Sequence, residues 1–400
     1  MLNEKTGRRM LAYTARIGDI TPIAGADNIE LVAVQGWHCI AKKGEFQSGD
    51  RCVYFEIDSK VPATDWFEFL ASKQYKVKTM KLSKFGVVSQ GLAMPVSAFG
   101  DVIPDGNYAD CTDLLGVTHI VDDTDREPAP VAGNFNAKCT SMRARHPKLF
   151  RTKFARWMMR REWGRRVMIA LFGRKKTPPT TWPVGKFPGV SQTDQERVEN
   201  EPQVLQEGAS WIRTEKCDGS SGTYILARKG RKFEFYVCSR RVRMVDENQD
   251  CFHGYNYYWE VAHKYDIERK MKAYLKNHPE LTFVCWQGEI CAPNIQKNPH
   301  HLTSTHFYCF HWTDDTGRWD IRRAADVWKS LNMDVVPIER EEYKLPATME
   351  EMKATADGYY DPSVCEGKTD CPREGYVYYR VDNPAVSFKN VSIKYLCRNK

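Results

Sequence analysis

Short strand-like segments separated by turn residues occur at both ends of the chain, and they constrain its fold more than any other feature. Near the N-terminus, ELVAVQ, HCIAKK and RCVYFEID are rich in valine, isoleucine and aromatic residues, with glycine-containing turns between them. Such closely spaced short strands predict a small barrel or sandwich. From residue 184 onward, segments such as WIRTEKC and KFEFYVCS alternate irregularly with helical ones. This irregularity predicts an α+β fold rather than a doubly wound parallel sheet.

Length, hydropathy and cysteine pattern narrow the class of protein. The 400 residues exceed the usual size of one compact core. No apolar run of about 18 residues occurs and the first residues lack an apolar signal core, so neither a transmembrane helix nor secretion is expected. The 13 cysteines form no CxxC pair, which is typical of reduced thiols in the cytosol. We therefore expect a cytoplasmic monomer of two domains without a membrane partner.

The positive charge is concentrated in one basic segment, residues 138–176. This segment contains fourteen lysines and arginines and one acid, Glu162, for a charge of +13. Because the whole chain carries +8, the remaining residues sum to −5. The acidic and proline-rich stretch VDDTDREPAP before it predicts a linker. Within the basic segment, the spacing of one helical face is shown by Phe150, Phe154, Trp157 and Met158. The prolines of TPPTTWP at 177–183 predict the end of that helix.

The basic segment has three interpretations. Nucleic-acid binding is favoured because its arginines interleave with Phe154, Trp157 and Trp163. An amphipathic helix that binds a membrane surface or a partner is the second interpretation. A solvated insertion without a ligand is the third.

The sharpest local motif is Thr214-Glu215-Lys216-Cys217-Asp218-Gly219-Ser220-Ser221. It places a lysine directly after a strand, next to a turn of small residues that allows a ligand to approach closely. A lysine amine attacks only when neutral, and its ordinary pKa is about 10.4, so burial or neighbouring cations must favour the neutral form. Taken alone, the motif is equally compatible with a surface lysine beside a turn.

Further motifs follow this lysine in a definite order. They are Ser239-Arg240, Gln287-Gly288-Glu289, Phe307-Tyr308-Cys309-Phe310, Arg373-Glu374-Gly375-Tyr376-Val377 and Ser387-Phe388-Lys389. This order resembles the covalent nucleotidyltransferase superfamily of RNA ligases, DNA ligases and mRNA capping enzymes. The N-terminal stretch from IGDITPIAGADNIELVAVQGW to TMKLSKFGVVSQGLAMP is similar to the OB module of the Deinococcus/Naegleria-type RNA ligases, as are FPGVSQTDQERVEN and IQKN further on.

The resemblance implies a domain organisation. An OB-like nucleic-acid-binding β-barrel is expected at residues 1–118, followed by a linker with the basic insertion at 119–183. An antiparallel-sheet nucleotidyltransferase domain, the adenylation domain of a ligase, is expected at 184–400. The resemblance does not extend to the basic segment, which we interpret as an insertion.

The resemblance also implies a reaction. Lys216 would attack the α-phosphorus of ATP, with Mg²⁺ or Mn²⁺ present, and form lysyl-AMP. The adenylate would then move to an RNA 5′-phosphate, and an RNA 3′-hydroxyl would displace AMP and seal the ends. Each step moves charge between phosphate oxygens, so cations must be placed beforehand.

The resemblance assigns roles to the residues around this lysine. Lys389 would bind the α-phosphate, and its charge would lower the pKa of Lys216. Asp218 and Arg240 would bind the ribose and a phosphate or nucleic-acid end, respectively. Glu289 would accept a hydrogen bond from a ribose hydroxyl or hold the metal ion.

Four more residues complete the expected nucleotide and metal site. Phe310 would stack on adenine, Glu215 would read its exocyclic amine, and Gly219 would keep the nucleotide pocket open. Glu374 is the best candidate ligand for a divalent metal, together with Glu289. Core packing alone would also explain Phe310, and a surface location would explain the glutamates.

One motif departs from the family pattern. Ser387 stands where many relatives have the first lysine of a KxK pair. Lys394 is therefore a candidate second cation for the nucleotide, or an RNA contact. Lys389 itself is also compatible with a solvated position at a sheet edge.

The OB-like module offers its own candidate RNA contacts. Trp37 and Phe85 could stack on bases, and the candidate phosphate contacts are Lys42, Lys43, Lys76, Lys78, Lys81 and Lys84. Solvated edge lysines are the alternative interpretation.

The favoured function is an ATP-dependent RNA ligase in RNA repair that acts on nicked or broken RNA, with RNA/DNA hybrids as a further substrate. A GTP-dependent capping-type guanylyltransferase is one alternative, but the N-terminal position of the OB module argues against it. A non-catalytic RNA-binding OB protein is another, and the retained lysines and carboxylates argue against that.

Overall fold

The computed structural model describes residues 9–120, 149, 152–172, 180–181, 185–240, 242–245, 247 and 255–398. The predicted linker VDDTDREPAP and the aromatic position 150 lie outside these residues. No helix in the described part of the chain is long and apolar enough to cross a membrane.

The N-terminal domain consists of short strands, because β-branched and aromatic residues alternate with glycine turns there. The strands are β1 Ala12–Arg16, β2 Ile20–Pro22, β3 Ile29–Val34, β4 Trp37–Lys42, β5 Arg51–Phe55, β6 Ser59–Lys60, β7 Lys76–Val77, β8 Met80–Leu82, β9 Val87–Ser89, β10 Leu92–Pro95 and β11 Thr118–His119. They pair in the orders β1-β5-β10, β2-β3-β4, β11-β6-β7 and β8-β9. Two 3₁₀ helices, Asp65–Lys73 and Val96–Val102, connect them.

The central sheet of this domain is buried on both faces. Tyr13 and Tyr54 point into one hydrophobic core, whereas Val53 and Phe55 point into another, as the alternation of side chains along a strand requires. Trp37 lies in the first core and is fully buried. Its predicted role in stacking on bases is therefore wrong: its ring packs at an interface inside the protein.

A helical hairpin, residues 152–172, follows. It is formed by α1 Lys153–Met159 and α2 Glu162–Phe172. Thr152 caps α1, since its hydroxyl accepts a hydrogen bond from the Ala155 amide at 3.2 Å. The predicted helix in the basic segment is thus two short helices, because the chain turns at Arg160 and Arg161.

The C-terminal domain is built from two sheets. Its strands are β12 Thr180–Thr181, β13 Glu196–Arg197, β14 Ser210–Glu215, β15 Ser220–Lys229, β16 Lys232–Cys238, β17 Val242–Arg243, β18 Phe283–Cys291, β19 His306–Asp314, β20 Gly317–Arg318, β21 Ile338–Lys344, β22 Gly375–Arg380 and β23 Ser387–Val391. The seven-stranded sheet has the order β12-β17-β16-β15-β18-β19-β20, and the five-stranded sheet has the order β13-β23-β22-β14-β21. All pairs are antiparallel except β13 with β23, which confirms the predicted α+β class.

Helices and short 3₁₀ turns cover these sheets. The helices are α3 Tyr257–Lys264, α4 Ile267–Asn277, α5 Ile321–Ser330, α6 Met349–Thr355 and α7 Ile393–Arg398, and the 3₁₀ turns are Val198–Asn200, Pro202–Gln206 and Pro362–Val364. Helices α3, α4 and α5 bury the seven-stranded sheet through side chains such as Val261, Met271 and Trp328. A separate core fills the space between the two sheets.

Asn200 joins the two domains. Its amide donates to Glu56 of the N-terminal domain at 2.7 Å and to Glu196 at 2.6 Å. Its carbonyl oxygen accepts hydrogen bonds from the Trp37 indole at 2.5 Å and the Tyr13 hydroxyl at 3.3 Å. All four hydrogen-bonding positions of this buried amide are thus used, three of them across the interface.

Two further contacts hold the same interface together. The Gly36 amide donates to the Glu199 carbonyl at 2.9 Å. The ammonium of Lys353 in α6 donates to the Gly36 carbonyl at 2.6 Å and to Gln90 at 3.3 Å. The N-terminal domain is therefore docked on the C-terminal domain through buried polar contacts.

Candidate active site

The lysine motif crosses from one sheet of the C-terminal domain to the other. Strand β14 of the five-stranded sheet ends at Glu215, and β15 of the seven-stranded sheet begins at Ser220. Lys216 therefore lies at the mouth of the space between the sheets, where its amide donates to the Gly375 carbonyl at 3.0 Å. Gly219 is required in this turn, because a Cβ there would lie 2.4 Å from the Ile290 carbonyl oxygen.

The side chain of Lys216 is held by the carboxylate of Glu374, which directly precedes the neighbouring strand β22. Its ammonium donates to both carboxylate oxygens of Glu374 at 2.7 Å. Burial lowers the pKa of Lys216, but the charges of Glu374, Glu289 and Asp218 outweigh burial and raise the pKa above its ordinary value. The predicted lowering of this pKa by Lys389 is therefore outweighed by the three carboxylates around the amine.

The negative charges of these carboxylates act on one another. Burial raises the pKa of Glu289 to about 8, against the opposing charges of Lys216 and Arg240. Such hard oxygen donors beside one another fit a divalent cation such as Mg²⁺. The described residues contain no group of three His, Cys, Asp or Glu side chains arranged to hold an ion. Two carboxylates with water and phosphate oxygens would still suffice, since Mg²⁺ usually keeps several waters.

The second lysine, Lys389, lies on β23 and is paired with a carboxylate that the sequence did not suggest. Its ammonium donates to Asp194 at 2.8 Å. Burial lowers the pKa of Lys389 to about 8, although Asp194 opposes the change. Arg197 stands opposite Lys389 in the β13–β23 register, and Arg240 also acts on Asp194 electrostatically. The region around Asp194 is therefore rich in cations.

The residues predicted to recognise adenine lie in different surroundings. Glu215 is buried, and its carboxylate accepts hydrogen bonds from the Asp361 amide at 2.9 and 3.0 Å and lies 3.5 Å from Arg373. Burial raises its pKa to about 7. Phe310 on β19 is partly buried and packs against the core between the sheets. Glu215 is thus held by Asp361 and Arg373, whereas Phe310 lies against the core between the sheets.

Lys394 lies apart from the other predicted cations. It is on α7, its side chain is 75% exposed, and its ammonium lies 3.1 Å from Asp357. Ser387 begins β23, two residues before Lys389.

The candidate RNA-binding lysines of the N-terminal domain are exposed at positions 42, 43, 78, 81 and 84, whereas Lys76 is half-buried.

Three residues that sequence reasoning missed shape the motif. The imidazole of His300 accepts a hydrogen bond from the Asp218 amide at 3.2 Å, and burial lowers the pKa of His300 to about 4, so the ring is neutral. Tyr395 donates to the Asp218 carboxylate at 2.7 Å, and Tyr360 donates to the Lys216 carbonyl at 3.0 Å. The sequence motifs did not single out any of the three, because each contact joins residues far apart along the chain.

The arrangement suits transfer of a phosphorus-containing group to nitrogen. Lys216, the candidate nucleophile, lies beside carboxylates that can hold a cation. The second lysine, Lys389, lies among other positively charged side chains. Preplaced cations of this kind stabilise charge on phosphate oxygens in such reactions.

Comparisons with known proteins agree with this geometry. A model of an OB-fold domain matches residues 11–96, and a model of the RNA ligase family matches residues 209–396. The chain is similar to the solved structure of Naegleria gruberi RNA ligase with PPi, at 28% identity and a TM-score of 0.71 over 98% of this chain and 99% of that chain. Variants of that ligase solved with ATP and Mn, and with AMP and Mn, match with the same values. No curated protein matches the chain.

Proposed function

We propose that this chain, which belongs to the ATP-dependent RNA ligases of the Naegleria type, seals RNA 3′-hydroxyl ends to 5′-phosphate ends with Lys216 as its nucleophile. The family expected from the order of the motifs is confirmed by the two family models and the Naegleria structures. The OB-fold and nucleotidyltransferase architecture is confirmed by the same comparisons.

One observation carries the assignment of the nucleophile. Lys216 lies in the turn between the two sheets, with its amine 2.7 Å from Glu374 and with Lys389 on a neighbouring strand of the same sheet as Glu374. This is the position from which an amine reaches a phosphate that binds between the sheets. The neutral His300 and the Tyr395 hydroxyl support the proposal, because they hold the turn through Asp218.

The reaction proceeds in three transfers. Lys216 leaves Glu374, loses a proton and attacks the α-phosphorus of ATP, so that an N–P bond forms and pyrophosphate departs. The 5′-phosphate of RNA then attacks the same phosphorus, takes the adenylate and frees the lysine. Finally an RNA 3′-hydroxyl attacks the activated 5′-phosphate and releases AMP.

The other predicted residues serve these transfers. Lys389 and Arg240 bind phosphate oxygens, with Lys394 as a more distant cation, while Asp218 binds the ribose. Phe310 and Glu215 bind adenine, which requires Glu215 to exchange its present partner, the Asp361 amide. A divalent cation, Mg²⁺ or Mn²⁺, would be held by Glu374 and Glu289 and would neutralise charge on the phosphates when bound.

The substrate that we propose is nicked or broken RNA, with RNA/DNA hybrids as a further substrate, in a cytoplasmic RNA repair reaction by a monomer. All the described cysteines are free thiols, and most are buried, which supports a reducing compartment.

Transfer of label to the protein tests the first step. The enzyme is incubated with α-labelled ATP or GTP and Mg²⁺, denatured, and examined for retained label. We expect label from ATP that is lost in Lys216→Ala, because this amine alone forms the N–P bond. The matched control is Lys229→Ala, an exposed lysine on the next strand, which should retain the label.

The outcomes separate the alternatives. Label from GTP alone would instead support a capping-type guanylyltransferase. Absence of label from both nucleotides would exclude the proposed nucleophile and leave an RNA-binding protein. Sealing of a nicked RNA duplex, compared with a nicked DNA duplex, then defines the accepted 3′ end.

A further inference from the structure

The helical hairpin forms its own small core. Met158, Met159 and Met168 are buried within it, and none of them belongs to a hydrophobic core of either domain as far as these are described. Gly164 allows the two helices to pack closely, since a Cβ there would lie 2.2 Å from the Met158 carbonyl oxygen. The hairpin also lies between the regions that the two family models match, residues 11–96 and residues 209–396.

Aromatic rings cover one surface of this hairpin. Phe154, Trp157 and Trp163 are 65%, 45% and 52% exposed, although large aromatic side chains are usually buried. Their rings adjoin one another, with centroids of Phe154 and Trp157 at 6.2 Å and of Trp157 and Trp163 at 5.8 Å. The result is a continuous aromatic surface on the outside of the molecule.

Arginines border this surface. Arg160, Arg161 and Arg166 are exposed, and the Arg161 guanidinium lies 4.2 Å above the Trp157 ring. The single acid, Glu162, is paired with Arg166 at 2.8 Å. By sequence the surrounding segment carries +13 while the remaining chain carries −5. The hairpin therefore lies within the most positive segment of the chain.

We propose that this hairpin is a second RNA-binding site, which holds single-stranded RNA flanking the break while the active site holds the ends. Single-stranded nucleic acid is bound by aromatic rings that stack on bases together with cations that contact phosphates, and here both line one surface. The proposal rests on the proposed function only in taking RNA as the substrate. A contact far from the break raises affinity because the two sites act on one strand.

An anionic membrane is the competing ligand. Val167 and Leu171 are also exposed, at 40% and 68%, and an apolar surface bordered by arginines binds lipid as well. RNA is favoured because the guanidinium of Arg161 lies over the face of the Trp157 ring. The cation and the aromatic ring therefore share one surface and do not lie on opposite sides of the helix. The aliphatic pair provides the means to separate the two ligands.

The charge of the hairpin is tested first. The affinity of the full-length protein for single-stranded RNA is measured without ATP over a range of salt concentrations. In Arg160→Gln/Arg161→Gln/Arg166→Gln, the slope of log affinity against log salt should fall by about 2, at roughly 0.7 per phosphate contact. The matched control Lys232→Gln/Lys276→Gln/Lys329→Gln removes the same charge from exposed positions of the C-terminal domain and should keep the slope. Equal slopes for the two triple variants would overturn the proposal.

The apolar surface is tested next. Trp163→Leu keeps an apolar side chain but removes a stacking ring, so RNA binding should weaken roughly tenfold. Val167→Ser/Leu171→Ser should leave RNA binding unchanged. Binding to phosphatidylserine vesicles that is lost in the serine variant, with RNA binding unchanged in Trp163→Leu, would assign the surface to membranes instead.

Failure of this proposal is distinguishable from failure of the proposed function. Labelling of Lys216 by ATP is measured on the same variants and should remain at the wild-type level, because the changed side chains are exposed and none is proposed to bind the nucleotide. Loss of RNA affinity with normal labelling supports the second site. Loss of labelling in the hairpin variants would contradict it.

Discussion

Two lysines of the active site have opposite electrostatic surroundings. The pKa of Lys216 is raised because three carboxylates outweigh its burial. The pKa of Lys389 is lowered to about 8, because burial, aided by the charges of Arg9, Arg197 and Lys216, outweighs the opposing charge of Asp194. In its proposed role Lys389 would bind phosphate only when it is charged, and Asp194 would act as its positioning residue.

Removing the Asp194 charge should therefore shift the pH dependence of lysyl-AMP formation. The protonated fraction of Lys389 falls as pH rises through about 8, so activity should fall there. In Asp194→Asn the pKa of Lys389 drops further, and the fall should move to lower pH. We expect a several-fold lower rate at pH 8.5 and a much smaller loss at pH 6.5, measured as the rate of labelling against pH.

Two variants serve as controls for this prediction. Asp194→Glu retains the charge and should restore most of the wild-type profile. Asp357→Asn removes a carboxylate that pairs with the exposed Lys394 and should leave the profile unchanged. An identical proportional loss at all pH values in Asp194→Asn would show that the carboxylate has only a structural role.

At the scale of elements, the turn between β14 and β15 depends on the close approach of β18. A methyl group at Gly219 would lie 2.4 Å from the Ile290 carbonyl oxygen, so the turn must move away from its strand. We expect Gly219→Ala to lower the labelling of Lys216 at least 100-fold, while the free energy of unfolding falls by about 1–3 kcal/mol. Labelling and urea unfolding are measured on the same preparation.

The turn between β15 and β16 provides the comparison. Gly230 has a positive φ of 60° and open space around its Cα, and asparagine tolerates this conformation. Gly230→Asn should label normally. If Gly219→Ala also labelled normally, the close contact with β18 would not matter for the nucleophile.

At the scale of the whole molecule, one buried amide joins the domains. In Asn200→Ala, the Glu56 and Glu196 carboxylates and the Trp37 indole lose partners inside the interface. Buried polar groups without partners are costly, so we expect a loss of about 2–4 kcal/mol in the free energy of unfolding. Urea unfolding followed by tryptophan fluorescence and by circular dichroism gives this value and shows whether the domains still unfold together.

Asn383→Ala is the matched control for this substitution. Asn383 accepts a hydrogen bond from the Ala385 amide in an exposed turn, so its loss should cost less than about 1 kcal/mol. Equal losses for the two variants would mean that Asn200 does not hold the domains together.

Much of the candidate active site could be predicted because its residues lie in short local motifs. Lys216, Glu289 and Glu374 each adjoin a glycine or a strand end, Lys389 lies in the last strand, and the order of these motifs can be read along the chain. Asp194 was not predictable, because its role depends on a partner 195 residues away. The role of His300 was not predictable either, because its hydrogen bond with the Asp218 amide joins residues 82 positions apart.

The sequence by itself determined the resemblance to RNA ligases, the α+β class, the order of the motifs and the concentration of positive charge in residues 138–176. These depend on residue types and on neighbours along the chain. Only the tertiary structure decided the electrostatics of the lysines, the burial of Trp37 at the domain interface and the outward surface of the hairpin. A pKa depends on every charge within a few ångströms, and exposure depends on what packs against a side chain. Both are properties of the folded molecule, in which distant segments meet.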